Sequence, residues 1–413
     1  MTAREAEAYL LDLELFGMRF GLDRMHKLMT VLGMPQRRFA SIHVVGSNGK
    51  SSTTRMIAAI LERHGVVTGT YTSPHLRSFA ERIEVRGRPL GDAEFAAAVE
   101  RVARAARLVD RTLEADDRVT QFEALTAAAY TELARRGVDV AVIEAGLGGR
   151  YDATNVIPSK VQVLTGVGLE HTRWLGPTIT DIADEKLAVV RDHATLVVGR
   201  DLDPEAEAAA VRVAGERHAA LVRAPASSEV PRRALGAFQR RNFALARAAA
   251  EAFLGELDQA AVRQAADEVA IPGRLERVAD EPLTLHDGAH NPSGARALAE
   301  SLPEVVGDRR PLIAVVAVLD DKDAAGMLRE LLPGLDRVVF TRSAHPRSLP
   351  PATLMTLCEQ LGGPTAEVVA DAHAAVERAR ALAGPGGAVL ATGSIYLVAE
   401  LVREDPTARA SIV

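Results

Sequence analysis

The sequence predicts an α/β protein: an N-terminal P-loop-type domain built on a mostly parallel sheet, followed by a smaller C-terminal Rossmann-like α/β domain. Three observations carry this. Short apolar strands alternate with helical patterns through the first half. One of those strands runs into a glycine-containing loop that ends in lysine and opens a helix. A second strand–helix alternation begins after the break Ile271-Pro272-Gly273. A length of 413 residues suits two cores.

In the first half, the apolar runs Ser41–Val45, Val138–Ile143, Val161–Thr165 and Leu196–Val198 read as strands. Between the first two, Asp92 reads as an N-cap for a helix over Ala93–Leu113, and a second helix covers Gln121–Arg136. Further helices are expected over 207–220, Phe238–Leu254 and Gln259–Ala270. The second unit offers strands at Leu283–His286, Leu312–Leu319, Val338–Phe340, Glu367–Val369 and Gly387–Ala391, with a helix over 372–383. The domain junction is expected near residue 280, giving units 1–280 and 281–413.

Composition narrows the function. The formal net charge is -6, against the basic excess of a nucleic-acid-binding surface. The single cysteine, Cys358, excludes an internal disulfide and suits a reducing cytoplasm. The opening MTAREAEAYLLDLELFG is acidic where a secretory signal would be basic. No run approaches the ~18 apolar residues of a membrane span. The expectation is a cytoplasmic enzyme that binds neither nucleic acid nor membrane. Of the 49 lysine and arginine residues only five are lysines: Lys27, Lys50, Lys160, Lys186 and Lys322. Surface solvation has gone to arginine, so the remaining lysines are enriched where an amine does what a guanidinium cannot.

The strongest local signal is Ile42–Val45 followed by Gly46-Ser47-Asn48-Gly49-Lys50-Ser51-Ser52-Thr53 and a helix carrying Met56, Ile57, Ile60 and Leu61. A strand, a glycine turn and a helix start aim several backbone N–H groups at one point, where an anion is stabilised. Lys50 would reach β- and γ-phosphate oxygens, and the hydroxyls after it would lie near phosphate or Mg²⁺. Val44 stands where the usual Walker spacing has a glycine, so the loop is a shortened variant. A glycine turn with a chance lysine would share these letters; the order strand, loop, helix favours nucleotide binding.

A second apolar strand ends in Glu144, before Ala145-Gly146-Leu147-Gly148-Gly149-Arg150-Tyr151-Asp152. Ligands of open parallel sheets bind beyond the carboxyl ends of the strands, where a carboxylate can hold Mg²⁺. The next strand leads to Gly168-Leu169-Glu170-His171, so His171 leaves the same edge. Tyr71-Thr72-Ser73-Pro74-His75-Leu76 adds a hydroxyl in a proline-containing loop. Singly, a glutamate or histidine at a strand end is more often an ordinary structural residue than a ligand. Their order around one sheet edge is the informative part.

This set of motifs resembles the folylpolyglutamate synthase/dihydrofolate synthase family of the Mur ligase superfamily along nearly the whole chain. GSNGKSS is similar to the family's GTNGKGS loop, and VIEAGLGGRYDATNVI is the most family-specific run. Phe16-Gly17, YTSPHL with Glu81-Arg82-Ile83, Gly168–Leu175 with Asp181–Lys186, and Gln239 to Asn242 match in order. Pro272-Gly273-Arg274, Asp287–Pro292, Asp321-Lys322-Asp323 and Thr392-Gly393-Ser394 follow. The departures are Ser47 for threonine, Ser51 for glycine, Glu170 for aspartate, Leu187-Ala188-Val189 for AGI, and Phe238 for histidine. None removes a metal ligand or the phosphate lysine that the resemblance implies.

By matched motif, the resemblance implies that Asn48, Gly49, Lys50, Ser51 and Ser52 bind ATP phosphates. Ser73, Glu144 and His171 would hold two Mg²⁺ ions. Asn242 would approach the γ-phosphate, Arg274 a phosphate and Asp287 the ribose. Lys186 is similar to a lysine the family carries as a carbamate, an anionic oxygen ligand on a long stem that arginine cannot readily replace. Lys50, His171 and Lys186 are thus the expected catalytic groups, with K⁺ as a further ion. The implied reaction joins L-glutamate to a folate or dihydropteroate carboxylate through an acyl phosphate, in a monomer. Phe122 would stack on the pterin, although a core phenylalanine at a helix start reads equally well. His290 and Lys322 are candidates for contact with substrate. Two other readings are a Mur-type amino-acid ligase for a non-folate acid and a nucleotide-binding protein without turnover.

Overall fold

In the computed structural model, residues 1–413 are described except 14–20, 115, 226–232 and 404–413. Phe16-Gly17 therefore lies outside the described residues. The first sheet has eight strands: β1 (Ala40–Val45), β2 (Thr68–Tyr71), β3 (Ile83–Val85), β4 (Arg88–Pro89), β5 (Val140–Glu144), β6 (Val161–Leu164), β7 (Thr195–Val198) and β8 (Ala220–Arg223). Their order is β4-β3-β2-β5-β1-β6-β7-β8, parallel from β2 to β8, with the short antiparallel β3 and β4 at one edge. β5 and β6 flank β1, with Val44 opposite Glu144 and Val45 opposite Leu164. That register sets the phosphate loop, Glu144 and the segment leading to His171 side by side at one edge.

The second sheet has six strands: β9 (Glu276–Asp280), β10 (Leu283–His286), β11 (Leu312–Val316), β12 (Arg337–Phe340), β13 (Ala366–Val368) and β14 (Ala388–Thr392). Their order is β13-β12-β11-β14-β10-β9, parallel except for the pair β10–β9. Residues 276–280 thus pair with the second sheet.

The central strands β1, β5, β11 and β14 are largely apolar and buried on both faces because helices cover both. On one side of the first sheet, the helices Lys50–Arg63 and Ala237–Leu254 bury Ile57, Ile60, Phe243 and Ala246 against Val44 and Val142. On the other, the helices Asp92–Asp110 and Gln121–Arg135 bury Phe95, Val99, Leu125 and Tyr130 against Ile143. The second sheet has Leu298, Leu302 and Met327 on one face and Ala375 and Ala379 on the other.

Two helix starts differ from the sequence expectation. The helix expected over 207–220 runs from Pro204 to Glu216, because Asp203 caps its start by accepting the Glu205 N–H and Ala220 already belongs to β8. Gly91 is the N-cap and Asp92 is already helical, because the Glu94 carboxylate accepts the Gly91 N–H at 3.1 Å and closes the turn one residue earlier. Among the described residues no helix is long and apolar enough to cross a membrane.

Candidate functional site

The carboxyl edges of the two sheets bound a cleft of about 750 Å³. Every site residue expected from the sequence lines it, from Asn48 on the phosphate loop to Lys322 beyond β11.

The phosphate loop leaves β1 and turns at Gly49, whose φ of +84° suits glycine. A side chain there would also stand 2.5 Å from Asn242 Oδ1, so Asn242 sits directly over the turn. Lys50 Nζ folds back to donate to the carbonyls of Gly46 (2.9 Å) and Ser47 (3.3 Å). The Thr165 hydroxyl, at the end of β6, donates to Asn48 O at 2.6 Å. The Asn48 side chain crosses the cleft: its Nδ2 donates to Asn291 Oδ1 (3.1 Å) and Ser293 Oγ (2.9 Å).

Glu144 ends β5 and is 2% exposed. Its Oε1 accepts from Ser51 Oγ at 2.9 Å and its Oε2 from the Ser73 N–H at 3.1 Å. Burial pushes this carboxyl up, with Lys50, Ser51 and Ser73 opposing. The serine that departs from the family's loop is therefore tied to the carboxylate.

His171 caps the short helix Thr172–Leu175 with φ of +48°, a left-handed conformation uncommon outside glycine and asparagine. Enclosure in the cleft lowers its imidazole to about 4, with the Lys322, Lys50 and Lys186 ammonium groups adding to the effect and Glu170 opposing. It is a neutral ring at pH 7, the form that binds metals.

Lys186, in the helix Ile179–Leu187, is 2% exposed and passes beneath the phosphate loop. Its Nζ donates to Gly46 O and to Glu170 Oε1, each at 3.0 Å. Burial pulls the amine down while Glu170 pulls it up. Against its own burial, Glu170 is held down to about 2 by the Lys186 and Lys50 charges. Glu170's partnership with Lys186 is legible in the sequence only as an odd substitution.

On the opposite wall, Asp287 follows β10 and uses both oxygens locally. Oδ2 accepts the Leu275 N–H and Oδ1 the Ala289 N–H, each at 2.8 Å. This ties the turn bearing Arg274 to the segment bearing His290. His290 Nδ1 pairs with Gly288 O at 2.9 Å, and burial lowers the ring to about 4. Lys322 pairs with Asp321 at 3.3 Å, and Arg347 reaches the same carboxylate at 3.2 Å.

Phe122, at the start of Gln121–Arg135, is partly buried, tilts against Tyr71 with centroids 6.0 Å apart, and faces the cleft. Its ring lies 2.6 Å from where a Cβ on Gly146 would stand, so that glycine admits the ring. Sequence reasoning does not reach two cleft aromatics, Tyr151 and Trp174, which are 50% and 47% exposed. Nothing in an isolated exposed aromatic marks it as a site residue. Asn291 had a signal, as an asparagine before Pro292 at a helix start.

Among the described residues, no group of three or more His, Cys, Asp or Glu is arranged to hold a metal ion. Mg²⁺ does not require one, because it binds through one or two carboxylates with substrate phosphates and water. A buried carboxylate with only two hydrogen-bond donors, beside a phosphate loop and a neutral imidazole, fits such an ion.

Two protein families match the chain: the Mur ligase middle domain over residues 44–220 and the Mur ligase glutamate ligase domain over 273–395. Among curated proteins it is similar to the dihydrofolate synthase/folylpolyglutamate synthase of Mycobacterium tuberculosis, 36% identical over 85% of this chain and 81% of that protein. Among solved structures it is similar to Mycobacterium tuberculosis folylpolyglutamate synthase complexed with ADP, with a TM-score of 0.90 and 33% identity over 97% of each chain. It is also similar to E. coli FolC in complex with DHPP and ADP, with a TM-score of 0.86 and 29% identity over 97% of each chain.

Proposed function

Because the chain belongs to the folylpolyglutamate synthase/dihydrofolate synthase family of ATP-dependent Mur ligases, we propose that it joins L-glutamate to the carboxylate of a folate or dihydropteroate. The observation that carries this reading is the single cleft holding phosphate-loop Lys50, buried Glu144 and buried Lys186 opposite Arg274, Asp287 and His290.

A carboxylate does not condense with an amine at neutral pH, because its oxygen is a poor leaving group. The γ-phosphoryl group of ATP moves to that oxygen and ADP leaves. The amine of glutamate attacks the acyl phosphate carbon, its proton is lost, and phosphate departs with the original carboxylate oxygen. Asn48, Gly49, Ser51 and Ser52 seat the phosphates through the helix start. Lys50 releases the Gly46 and Ser47 carbonyls to follow the transferred group. Arg274 binds a phosphate, Asp287 the ribose, and Asn242 the γ-phosphate region. Glu144, Ser73 and His171 are the side chains that would hold two Mg²⁺ ions, which supply positive charge to the phosphoryl oxygens.

Lys186 acts as a carbamate in this reading. Its burial supports this by favouring the uncharged amine that can add CO₂ with loss of a proton. Phe122 stacks on the pterin, and His290 and Lys322 face the incoming glutamate. The two walls exclude water that would hydrolyse the acyl phosphate. The enzyme works as a cytoplasmic monomer.

The test is ADP release with Mg²⁺ and ATP, with glutamate and either dihydropteroate or tetrahydrofolate supplied. Release that needs both glutamate and one pterin acid is expected. ATP binding with no turnover on either acid would leave a Mur-type ligase for another acid.

A further inference from the structure

Besides the ion pairs of Arg240 with Glu304 and Arg241 with Glu300, the two domains are joined beside the phosphate loop by a cluster of amide and hydroxyl side chains. Asn48 Nδ2 donates to Asn291 Oδ1 at 3.1 Å, and Asn291 Nδ2 donates back to Asn48 Oδ1 at 3.0 Å. Ser293 Oγ accepts from Asn48 Nδ2 at 2.9 Å and donates to Asn291 Oδ1 at 3.0 Å. Both partners are anchored from behind. Asn48 O takes the Thr165 hydroxyl at 2.6 Å, and Asn291 Oδ1 caps the helix Pro292–Val306 by accepting the Gly294 N–H at 2.7 Å. Asn291 is 5% exposed, so its bonds are shielded from competing water.

A reciprocal amide pair is directional: each residue is donor and acceptor to the other, and the geometry fails if either wall shifts by much more than a bond's tolerance. On one side Asn48 lies two residues before Lys50. On the other, Asn291 lies one residue after His290 and four after Asp287. The pair therefore measures the distance between the phosphate lysine and the opposite wall.

We infer that Asn291, with Ser293, is a positioning residue that clasps Asn48 and sets the register of the second domain against the phosphate loop. On this assignment the side chain of Asn48 serves the clasp, and its backbone serves the phosphates. The inference rests on the ligase reading only for its kinetic consequences, since the clasp also governs nucleotide affinity. Misplacing reactive groups by about 1 Å can cost ~10²-fold in rate.

The test is a double-mutant cycle of Asn48→Ala and Asn291→Ala, read as kcat and as KM for ATP, with ADP affinity by titration calorimetry. Asn291→Ser is the fold-safe arm, because serine caps a helix about as well as asparagine but is too short to reach Asn48. Each single change is expected to raise KM for ATP about tenfold and lower kcat by ~10- to 10²-fold. The double mutant should be no worse than the singles, and Asn291→Ser should behave as Asn291→Ala. Multiplying effects, or an Asn291→Ser protein that works like the parent, would overturn the clasp. A parent protein without turnover would remove the ligase reading instead. The clasp would then be tested by ADP affinity alone: a double mutant that binds no more weakly than the weaker single supports it, and multiplying losses overturn it.

Discussion

Lys186 Nζ lies 3.0 Å from Glu170 Oε1, and the lysine is buried beneath the phosphate loop. The pair sets two opposed demands on one amine: burial favours its neutral form, and Glu170 favours the ammonium. A carbamate needs the neutral form. Replacing Lys186 by arginine keeps the charge and the Glu170 partner but cannot add CO₂. We expect Lys186→Arg and Lys186→Ala each to lower glutamate-dependent ADP release by at least ~10²-fold, the usual scale for losing one preorganised charge contact. Added bicarbonate should raise the parent rate and leave both variants unchanged. An arginine variant near parental activity would show that Lys186 acts only as a cation.

Glu144 offers both oxygens to donors that a glutamine carbonyl can satisfy only in part, so Glu144→Gln keeps shape and removes charge. Removing the charge relieves its burial, while the glutamine amide leaves one of the two buried donors without an acceptor. The two effects oppose, so the folded protein should keep close to its parental stability. The Mg²⁺ concentration for half-maximal ADP release should rise roughly tenfold or more, as expected when a divalent ion loses its one fixed carboxylate. An unchanged Mg²⁺ profile would remove Glu144 from the metal site.

Gly146 is in contact with the Phe122 ring at a spacing that leaves no room for a methyl group. Gly146→Ala must push the ring into the cleft or toward Tyr71. If Phe122 forms part of the pterin seat, KM for the pterin acid should rise several-fold while KM for ATP stays level. A matched rise in both would mean that the substitution disturbs the sheet edge and not the acceptor seat.

The parts of the site that follow strand ends were legible in the sequence. An apolar run gives the strand, and the segment at its end falls at the sheet's carboxyl edge; Lys50, Glu144 and His171 follow from this, whereas the role of Asp287 is implied only by the family resemblance. What stays hidden depends on contacts between segments far apart in sequence. β2 carries alternate threonines and a glycine in place of an apolar run, yet all four residues are buried between β5 and β3. β9 reads Glu-Arg-Val-Ala-Asp and is a strand only because β10 pairs with it at an exposed edge. The Asn48–Asn291 pair spans 243 positions, and no local pattern reports it.

His43, in the middle of β1, is fully buried with Nε2 2.8 Å from Thr154 Oγ1. Burial lowers its ring from 6.5 to about 3, so the unfolded chain takes up this proton before the folded one does. The group's contribution to stability is complete above about pH 6.5 and is lost as pH falls toward 3. The slope in that window is about 1.4 kcal/mol per pH unit. Urea unfolding of a His43→Gln variant should show that much less pH dependence between pH 6 and 5 than the parent. Parallel stability profiles would contradict the assignment.

The acceptor carboxylate is, on this mechanism, activated by phosphoryl transfer across the cleft. The most direct measurement uses a pterin acid whose carboxylate carries heavy oxygen, followed by mass analysis of the products of one turnover. One labelled oxygen in the released inorganic phosphate, with none in the nucleotide, is the predicted result. Label in AMP, or phosphate free of label while amide product forms, would contradict the acyl phosphate and the roles given to Lys50 and Lys186.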